Sequence, residues 1–540
     1  MQLNNNELKN KAQWEKAGIQ LPQFDREAMI QATQKAPKWV HFGAGNIFRA
    51  YPAALAQTLL EQGLENTGIV VAEGYDGEII DKCYAPIDNL CLLVTLKSNG
   101  TTEKKVIGSI ASSYRIDQDI TALKQVFANP SLQIASFTIT EKGYSLTGRD
   151  GALTPEIAED MRNGPANPKS YLGRIAALLH ERFANGELPL AMASMDNCSH
   201  NGDKLFNAME AFAIDWVENK IVNESYLAYV RNKNKLSFPW SMIDKITPRP
   251  DESVRKMLAD SGLENMHDIV TSRNTLIAPF VNAEETQYLI IEDTFPNGRP
   301  PLEKTGVLFA GRETVDMVEK MKVCTCLNPL HTALAVFGCL LGYTRISEEM
   351  KNPDLVKLIE GIGYREGLPV VTDPGVIKPK DFIDQVIKVR LPNPFMPDAP
   401  QRIATDTSQK IPIRFGETIK AYLEGRFVKG VSGLTIDNLT LIPLVIAAWI
   451  RYLLGVDDQG KPFEVSSDPL YAGLKPMLAG ISLGQKGPFH NALEPIISDS
   501  KLFAVNLYEA GLGKKVEAYF EELLAGPGAV AATLRKYVNK

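Results

Sequence analysis

The sequence predicts an α/β fold in which an amino-terminal domain built on a parallel β-sheet precedes a mostly α-helical carboxy-terminal domain. Three observations lead to this prediction. Short apolar runs alternate with amphipathic stretches in the first part of the chain, as in βαβ units. Proline and glycine then concentrate in residues 293–311, and helical patterns dominate beyond them. We therefore expect one domain at residues 1–300 and a second at residues 301–540.

The apolar runs place the individual strands. "PKWVHFGAGNIFRAYPAALAQTLLEQG" predicts a strand, a glycine turn and a helix, and "TGIVVAEGYDG" predicts the next strand. Further strands are expected in "LQIASFTIT" (132–140) and "LPLAMASMDN" (188–197), alternating with helical stretches such as "YLGRIAALLHERFANG". In the second domain, helices are expected in residues 312–343, 413–425, 435–455 and 513–539.

Composition and charge exclude several classes of protein. The 540 residues carry a formal net charge of −6 and no basic block, which argues against a nucleic-acid-binding protein. The apolar run at 439–450 is shorter than the roughly 20 residues that span a bilayer. We expect a buried helix there and no membrane partner. The polar amino terminus does not resemble a signal peptide, and six cysteines without regular spacing indicate reduced thiols in a cytoplasmic protein.

The segment "HFGAGNIFR", residues 41–49, places a Gly-x-Gly pair between the first strand and its helix. The first glycine, Gly43, permits a tight turn, and the second, Gly45, lets backbone N–H groups approach a pyrophosphate. Phe48 stands where the third glycine of the usual fingerprint would be, so a purely structural turn is the alternative. The strand–turn–helix context favours a Rossmann-like dinucleotide-binding domain.

An acidic residue at the end of the second strand would bind the adenosine ribose of such a cofactor. Glu73 lies 28 residues after Gly45 (73 − 45), with Asp76 and Glu78 as rivals for this role. A carboxylate in this place favours NAD over NADP, because it repels the 2′-phosphate of NADP.

The segment "VEKMKVCTCLNPLHTALA", residues 318–335, combines a lysine, an asparagine and a histidine with two cysteines. A metal site would need both cysteines and the histidine to converge, which their spacing allows only with a kinked backbone. A core helix, with the cysteines packed as small apolar side chains, is a second interpretation. The third is a catalytic cluster, because Asn328 and His331 are three residues apart and share a helix face, with Lys322 nearby.

Seven segments, in order along the chain, match signatures of one protein family. They are "VHFGAGNIFRA", "TEKGY", "SMDNCSHNGDKL", "FPWSMIDKITP", "KVCTCLNPLHTALA", "LPNPFMPDAPQRIATDTSQKIP" and "WIRYLLGVDDQGKPF". Over nearly its whole length the chain resembles the long-chain polyol dehydrogenases, a family that includes mannitol 2-dehydrogenases and the fructuronate and tagaturonate reductases. One departure is Trp240, which stands where the family has an asparagine.

The resemblance implies roles for individual residues. The amides of Asn197 and Asn328 would polarise the substrate carbonyl, His331 would contact the substrate, and Lys322 would be the general acid–base. The implied NAD-binding residues are Gly43, Gly45, Asn46, Ile47, Phe48, Arg49 and Glu73. The implied substrate-binding residues are Asp244, Arg402 and Lys410.

The spacing around the implied catalytic lysine departs from the family pattern. Five residues separate Lys322 from Asn328, where the family has four. On an unbroken α-helix one extra residue rotates the lysine by about 100°. A π-bulge would absorb the insertion, and such bulges favour functional sites. Lys320 is the fallback for the role.

The resemblance implies a metal-independent oxidoreductase that uses NAD to interconvert a keto-sugar acid and its hydroxy acid. On overall resemblance we favour reduction of D-fructuronate to D-mannonate. The alternatives are a mannitol 2-dehydrogenase-like or tagaturonate-reducing enzyme, an epimerase that retains NAD, and a non-catalytic dinucleotide sensor. A sensor would not need the lysine, the amides and the histidine together. The expected partner is a small-molecule substrate, and the expected state is a monomer or a small homo-oligomer.

Overall fold

The computed structural model describes all 540 residues, which form two compact units. The first comprises Met1–Lys97 and Thr101–Val315, and the second comprises Ser98–Gly100 and Asp316–Lys540. The first unit contains parallel strands alternating with helices, whereas the second is built mainly from helices. The predicted fold class is therefore confirmed.

The first unit holds every strand and the first ten α-helices. The strands are β1 (Ile19–Gln20), β2 (Trp39–Phe42), β3 (Ile69–Glu73), β4 (Cys91–Leu96), β5 (Thr102–Ile107), β6 (Ile110–Arg115), β7 (Ile134–Phe137), β8 (Leu190–Ser194), β9 (Leu236–Ser237), β10 (Ser241–Asp244), β11 (Ile269–Val270), β12 (Leu276–Ile277), β13 (Phe280–Glu284), β14 (Tyr288–Glu292) and β15 (Leu308–Ala310). The helices are α1 (Lys11–Lys16), α2 (Arg26–Lys35), α3 (Asn46–Ala50), α4 (Pro52–Glu61), α5 (Ile120–Ala128), α6 (Pro155–Asn163), α7 (Tyr171–Ala184), α8 (Asn201–Glu218), α9 (Glu224–Arg231) and α10 (Glu252–Asp260).

The central sheet of the first unit has six strands in the order β6-β3-β2-β7-β8-β9, and all neighbours are parallel. The chain starts at β2, moves outward through β3 to β6, and then returns to β7 on the other side of β2. This is the doubly wound Rossmann arrangement, whose strand order reverses between β2 and β7. In such sheets ligands bind outside the carboxyl ends of the strands at that reversal.

Alternating side chains give the sheet an apolar core on each face. Val40, Phe42 and Phe137 belong to the core formed with helices α5, α7 and α8. Trp39 and Ile134 belong to the opposite core, to which α4 contributes. All four residues of β2 are buried, as expected for a strand that is covered on both faces.

Three smaller sheets complete the first unit. Their strand orders are β1-β5-β4-β13, β10-β14-β15 and β11-β12. Strand β15 lies within the proline- and glycine-rich segment 293–311 and pairs in parallel with β14.

The second part of the chain is helical. Its helices are α11 (Arg312–Met321), α12 (Asn328–Leu340), α13 (Ile346–Glu349), α14 (Pro353–Glu360), α15 (Pro379–Gln385), α16 (Pro400–Ile403), α17 (Thr407–Ile411), α18 (Glu417–Leu423), α19 (Leu441–Tyr452), α20 (Tyr471–Leu474), α21 (His490–Ile497), α22 (Ser500–Phe503), α23 (Gly513–Leu524) and α24 (Ala529–Val538). Four π-helical segments lie among them: Lys322–Cys326, Gly361–Gly367, Val386–Arg390 and Pro412–Gly416.

Two helices differ from their sequence-based bounds. Helix α19 begins at Leu441 rather than near 435, and every one of its residues is buried, which confirms the buried helix expected at 439–450. The single helix expected at 513–539 is two helices. Gly526 and Gly528 both have positive φ between α23 and α24, and this conformation ends a right-handed helix.

The helical run from Arg312 to Leu340 is long and apolar enough to cross a membrane by length and composition. However, 78% of the most apolar 18-residue stretch of this run is buried inside the protein. A surface already covered by other side chains is typical of a core helix, so the run is better explained by burial inside the protein than by a membrane.

Candidate active site

The glycine turn follows β2 at the point where the strand order reverses. Gly43 has φ of +109°, and a Cβ built there would lie 2.3 Å from the carbonyl oxygen of Thr138, just past the end of β7. Only glycine fits a position with both a left-handed φ and so close a neighbouring backbone. The first glycine of the motif is thus required by the packing of β2 against β7.

Gly45 serves a different purpose. Its φ of −78° suits any residue, and a Cβ built there would meet no atom within 4 Å. The backbone therefore has open space in front of it at the start of α3. A pyrophosphate that approaches the main chain closely needs this kind of cradle, and a side chain would fill it.

Glu73 fixes the turn from the end of β3. Its Oε2 accepts a hydrogen bond of 2.8 Å from the backbone N–H of Ala44, and its Oε1 accepts from the N–H groups of Tyr75 and Asp76 at 2.7 and 3.1 Å. The carboxylate is 6% exposed. Glu73 thus joins the glycine turn to the loop after β3 and places a negative charge beside both.

The two rivals of Glu73 are engaged elsewhere. Asp76 accepts a 2.6 Å hydrogen bond from the hydroxyl of Thr271, and Glu78 forms an ion pair of 2.6 Å with Lys82. Of the three acids, Glu73 is the one that contacts the glycine turn.

Arg49 and Phe48 support the turn from beneath. The Arg49 guanidinium is 1% exposed and donates to the Asn46 side chain at 2.7 Å and to the carbonyl of Ala278 at 2.6 Å. Phe48 is fully buried and stacks on the ring of His41, with centroids 4.3 Å apart. Asn46 and Ile47 are partly exposed, so the turn itself is open to a ligand while its supports are not.

The carboxyl ends of β7 and β8 are joined by an acid that the sequence reasoning missed. Asp196 accepts hydrogen bonds from the N–H groups of Ile139 and Thr140, at 2.9 and 2.8 Å, and from the hydroxyl of Tyr144 at 2.6 Å. Asn197, the next residue, is exposed at this edge of the sheet. Asp196 was detectable as the acid beside that asparagine, and its role is to order the loop that presents the amide.

Asp244 lies at the end of β10 and is 7% exposed. Burial and the negative charge of Asp244 both raise the pKa of Tyr51. The neighbouring Lys245 donates to the carbonyl of Glu284 at 2.8 Å and to Gln287 at 2.9 Å.

In the second unit, the π-helical segment begins at Lys322 and ends at Cys326, directly before α12. A π-turn accommodates one extra residue while the helix on either side keeps its register. A π-turn is thus present at the position where one would absorb the extra residue. Lys322 is 4% exposed, whereas the Lys320 side chain is 58% exposed and forms a 2.6 Å ion pair with Asp316.

Helix α12 begins at Asn328, with Pro329 in its first turn and Leu327 as the capping residue. Proline has no backbone N–H, and the N–H groups of the first helical turn have no partner within the helix, so Pro329 costs no hydrogen bond there. Asn328 is therefore one residue inside the helix rather than at its cap. Asn328 and His331 are both partly exposed on the first turn of an otherwise buried helix.

His331 faces an acid that the sequence reasoning did not single out. Its Nε2 lies 3.5 Å from Oδ2 of Asp398 and has no hydrogen-bond partner. The other carboxylate oxygen of Asp398 accepts from Arg402. Burial and nearby arginines lower the pKa of His331 to about 4 although Asp398 opposes the shift, so the imidazole is neutral at pH 7.

Two more cations lie in the same cluster. Lys410 donates to the main-chain carbonyls of Ile403 and Thr405, and Arg414 donates to the hydroxyl of Thr332 at 2.5 Å. The pKa of Lys410 is lowered by burial and by the positive charges of Arg414 and Arg402. The structure thus brings Lys410 close to Arg402 and Arg414, both of which lower the pKa of His331.

The cysteines of the segment pack as apolar side chains. Burial raises the pKa of Cys324 to about 11 and raises that of Cys326 further, and all six cysteines of the chain are free thiols. No three His, Cys, Asp or Glu side chains are grouped so that they could hold a metal ion. Two interpretations of the segment thus coexist: a core helix with buried thiols, and a polar cluster at its start.

Both units match models of known families. A model of the mannitol dehydrogenase Rossmann domain matches residues 37–304, and a model of the mannitol dehydrogenase C-terminal domain matches residues 314–523. The D-mannonate oxidoreductase of Thermotoga maritima is 51% identical over 545 residues, which cover 100% of this chain and 99% of that relative.

Two solved structures are similar over almost the whole chain. D-sorbitol dehydrogenase in its substrate-free form has a TM-score of 0.78 at 26% identity, covering 96% of this chain and 98% of that one. The ternary complex of Pseudomonas fluorescens mannitol 2-dehydrogenase with NAD and D-mannitol has a TM-score of 0.68 at 26% identity, covering 100% of both chains.

Proposed function

Because the chain belongs to the mannitol dehydrogenase family, as its motifs predicted, we propose that it is an NAD-dependent oxidoreductase that interconverts D-fructuronate and D-mannonate. The observation that carries the proposal is the 51% identity, over the full chain, with a D-mannonate oxidoreductase. The polyol dehydrogenases found among the solved structures are only 26% identical. The substrate is thus a sugar acid rather than a neutral polyol.

The glycine turn supports NAD as the cofactor. The open space in front of Gly45 fits a pyrophosphate, and the buried Glu73 carboxylate beside the turn disfavours the 2′-phosphate of NADP. NAD is also the cofactor of the Pseudomonas fluorescens relative. When bound, the nicotinamide would accept or supply the hydride. Arg49 and Phe48 would act on the cofactor only through the turn, because both are buried beneath it.

Lys322 is proposed as the general acid–base. In the reduction, its ammonium donates a proton to the substrate oxygen as the carbonyl becomes a hydroxyl, and in the oxidation the neutral amine takes that proton back. Burial at a π-turn gives it a fixed position, which Lys320 lacks because it lies at the surface paired with Asp316.

Two amides and one imidazole complete the proposed machinery. The side-chain N–H groups of Asn197 and Asn328 stabilise the negative charge that develops on the carbonyl oxygen. His331 is neutral and its Nε2 has no hydrogen-bond partner, so this nitrogen can form a hydrogen bond with a substrate hydroxyl. An ammonium and two amides stabilise charge without a Lewis acid, so we expect activity to survive exhaustive treatment with EDTA. Loss of activity that zinc restores would contradict this expectation.

The test of the proposed function is a comparison of kcat/KM for D-fructuronate, D-tagaturonate and D-fructose, followed through NADH absorbance. The proposal expects D-fructuronate to have the highest value. A higher value for D-fructose would indicate a mannitol 2-dehydrogenase, and a higher value for D-tagaturonate would indicate a tagaturonate reductase. Interconversion of sugar acids without net NADH turnover would indicate an epimerase.

A further inference from the structure

The polar cluster around His331 contains more positive than negative charge. The cations that lower the pKa of His331 are Arg390, Arg402 and Arg414, and Asp398 is the acid that opposes them. Lys410 adds a fourth positive charge, which Arg402 and Arg414 repel and which Asp406 and Asp468 attract. Asp398 is already shared, because it lies beside His331 and accepts from Arg402. Three acids therefore oppose four cations.

Arg414 is a cation of this cluster that has no acidic partner. It is partly buried, its hydrogen bond goes to the neutral hydroxyl of Thr332, and it takes part in none of the ion pairs of the structure. Burial lowers the pKa of Arg414 to about 10, so it remains charged at neutral pH. A partly buried guanidinium without an acid is unfavourable until an anion supplies the missing charge.

Two neighbouring cations, Arg402 and Lys410, are less suited to bind an anion. The Arg402 side chain is 63% exposed and already pairs with Asp398. The Lys410 ammonium is directed to the carbonyls of Ile403 and Thr405. Arg414, by contrast, uses one nitrogen for Thr332, the residue after His331 on α12, and its planar fork can bind both oxygens of a carboxylate.

We propose that Arg414 binds the carboxylate of the sugar acid and makes the enzyme prefer a hexuronate or hexonate over a neutral ketose or polyol. This inference rests on the proposed function, because it assigns a specificity-determining residue to that same reaction. The carboxylate supplies the missing negative charge next to His331, so a sugar acid is bound where a neutral sugar leaves Arg414 unpaired.

The test compares Arg414→Met with the wild type in the reduction of D-fructuronate and of D-fructose. We expect kcat/KM for D-fructuronate to fall by about 10², the scale for loss of one partner of a buried charge pair, mainly through a higher KM. The value for D-fructose should change by less than about threefold, within the usual scatter of single contacts. Arg414→Lys should recover part of the loss for D-fructuronate, because it restores the charge without the fork.

The matched control is Arg426→Met, because Arg426 is an exposed arginine that pairs with Glu424 on the surface. It should leave both kcat/KM values unchanged. An equal loss on both substrates in Arg414→Met, or no loss on D-fructuronate, would overturn the inference.

A binding measurement separates this inference from the proposed function. The dissociation constants of D-gluconate and D-sorbitol are measured for wild type and Arg414→Met in the presence of NADH. The two compounds differ in the carboxylate, and NADH cannot reduce them because neither has a ketone. If the wild type fails to reduce D-fructuronate but D-gluconate binding weakens about 10² in the variant, the proposed function fails and the inference stands. If D-gluconate binds wild type and variant equally, the inference fails whichever substrate is reduced.

Discussion

The glycine turn of the first unit and the cation cluster of the second unit differ in how far their charged groups are compensated by nearby partners. Around the turn, the single acid Glu73 accepts hydrogen bonds from three backbone N–H groups, and Arg49 donates to an amide and a carbonyl. Around His331, by contrast, four cations outnumber three acids, and Arg414 donates its hydrogen bond to a hydroxyl.

This difference indicates how each region meets its ligand. A turn whose polar groups are already paired is rigid, and it can offer a preformed surface to a large cofactor at little reorganisation cost. A cluster with excess charge instead gains most from a ligand that carries the opposite charge. The glycine turn is held in place by its own hydrogen bonds, whereas the cation cluster gains its missing negative charge from the carboxylate of the proposed substrate.

The largest expected effect lies in the helical unit. Lys322→Ala removes the proposed acid–base and its charge together, so we expect kcat to fall by about 10³ or more. Stopped-flow and steady-state assays of NADH oxidation measure this loss, and circular dichroism checks that the variant is folded. Lys320→Ala is the matched control, because Lys320 is an exposed lysine two residues before Lys322. If Lys320→Ala is the damaging change, the assignment across the π-turn is wrong.

Asn328→Ala tests the amide at the start of α12. Loss of one donor to a developing oxyanion costs about 10²–10³ in kcat, with KM less affected. The same steady-state assay separates the two constants. A change confined to KM would mean that the amide binds substrate without stabilising the transition state, and the catalytic cluster would then be smaller than proposed.

Glu73→Gln tests the glycine turn, whose polar groups are already paired with one another. The amide keeps one acceptor oxygen for the turn but removes the negative charge, so the preference for NAD over NADP should narrow by about tenfold. The ratio of kcat/KM with the two cofactors measures this. Asp76→Asn is the control, because Asp76 bonds to Thr271 and is no acceptor for the turn. If the preference for NAD over NADP falls equally in both variants, it is a property of the loop after β3 and not of Glu73 alone.

Glu349 provides an unpaired acid within the helical unit itself. It is fully buried, neither oxygen has a hydrogen-bond partner, and burial raises its pKa to about 9. In the unfolded chain it ionises near its ordinary value of 4.5, so the stability that it supports is complete below that pH. The stability falls as pH rises toward about 9, because the unfolded state has released a proton that the folded state retains.

Glu349→Gln should therefore gain a few degrees in Tm relative to the wild type between pH 6 and pH 9. Thermal melts at the two pH values measure the gain, and Cys339, the titratable neighbour, stays neutral in this range because burial raises its pKa to about 12. Glu348→Gln is the control, since Glu348 pairs with Lys351 at the surface. A gain that does not depend on pH would mean that Glu349 is not protonated in the folded protein.

Local pattern was enough to determine several features of this protein. The apolar runs predicted β2, β3, β7 and β8, because a strand covered on both faces must be apolar along its length. The motifs predicted the family that both domain models match. A π-turn was the expected way to absorb the extra residue before Asn328, and a π-turn lies there, because one residue can be inserted into a helix where the hydrogen-bond pattern widens locally.

Other features were decided only by the tertiary structure. Glu73, Asp76 and Glu78 are close in sequence and chemically alike, and only the packing of the strands selects Glu73 as the acid that contacts the turn. Asp398 and Arg414 reach the start of α12 from 67 and 82 residues away. Periodicity encodes local structure, whereas contacts at such separations depend on how whole helices pack. Local pattern thus placed four strands of the central sheet and supplied the chemical groups, and the packing of distant segments decided which charges are paired.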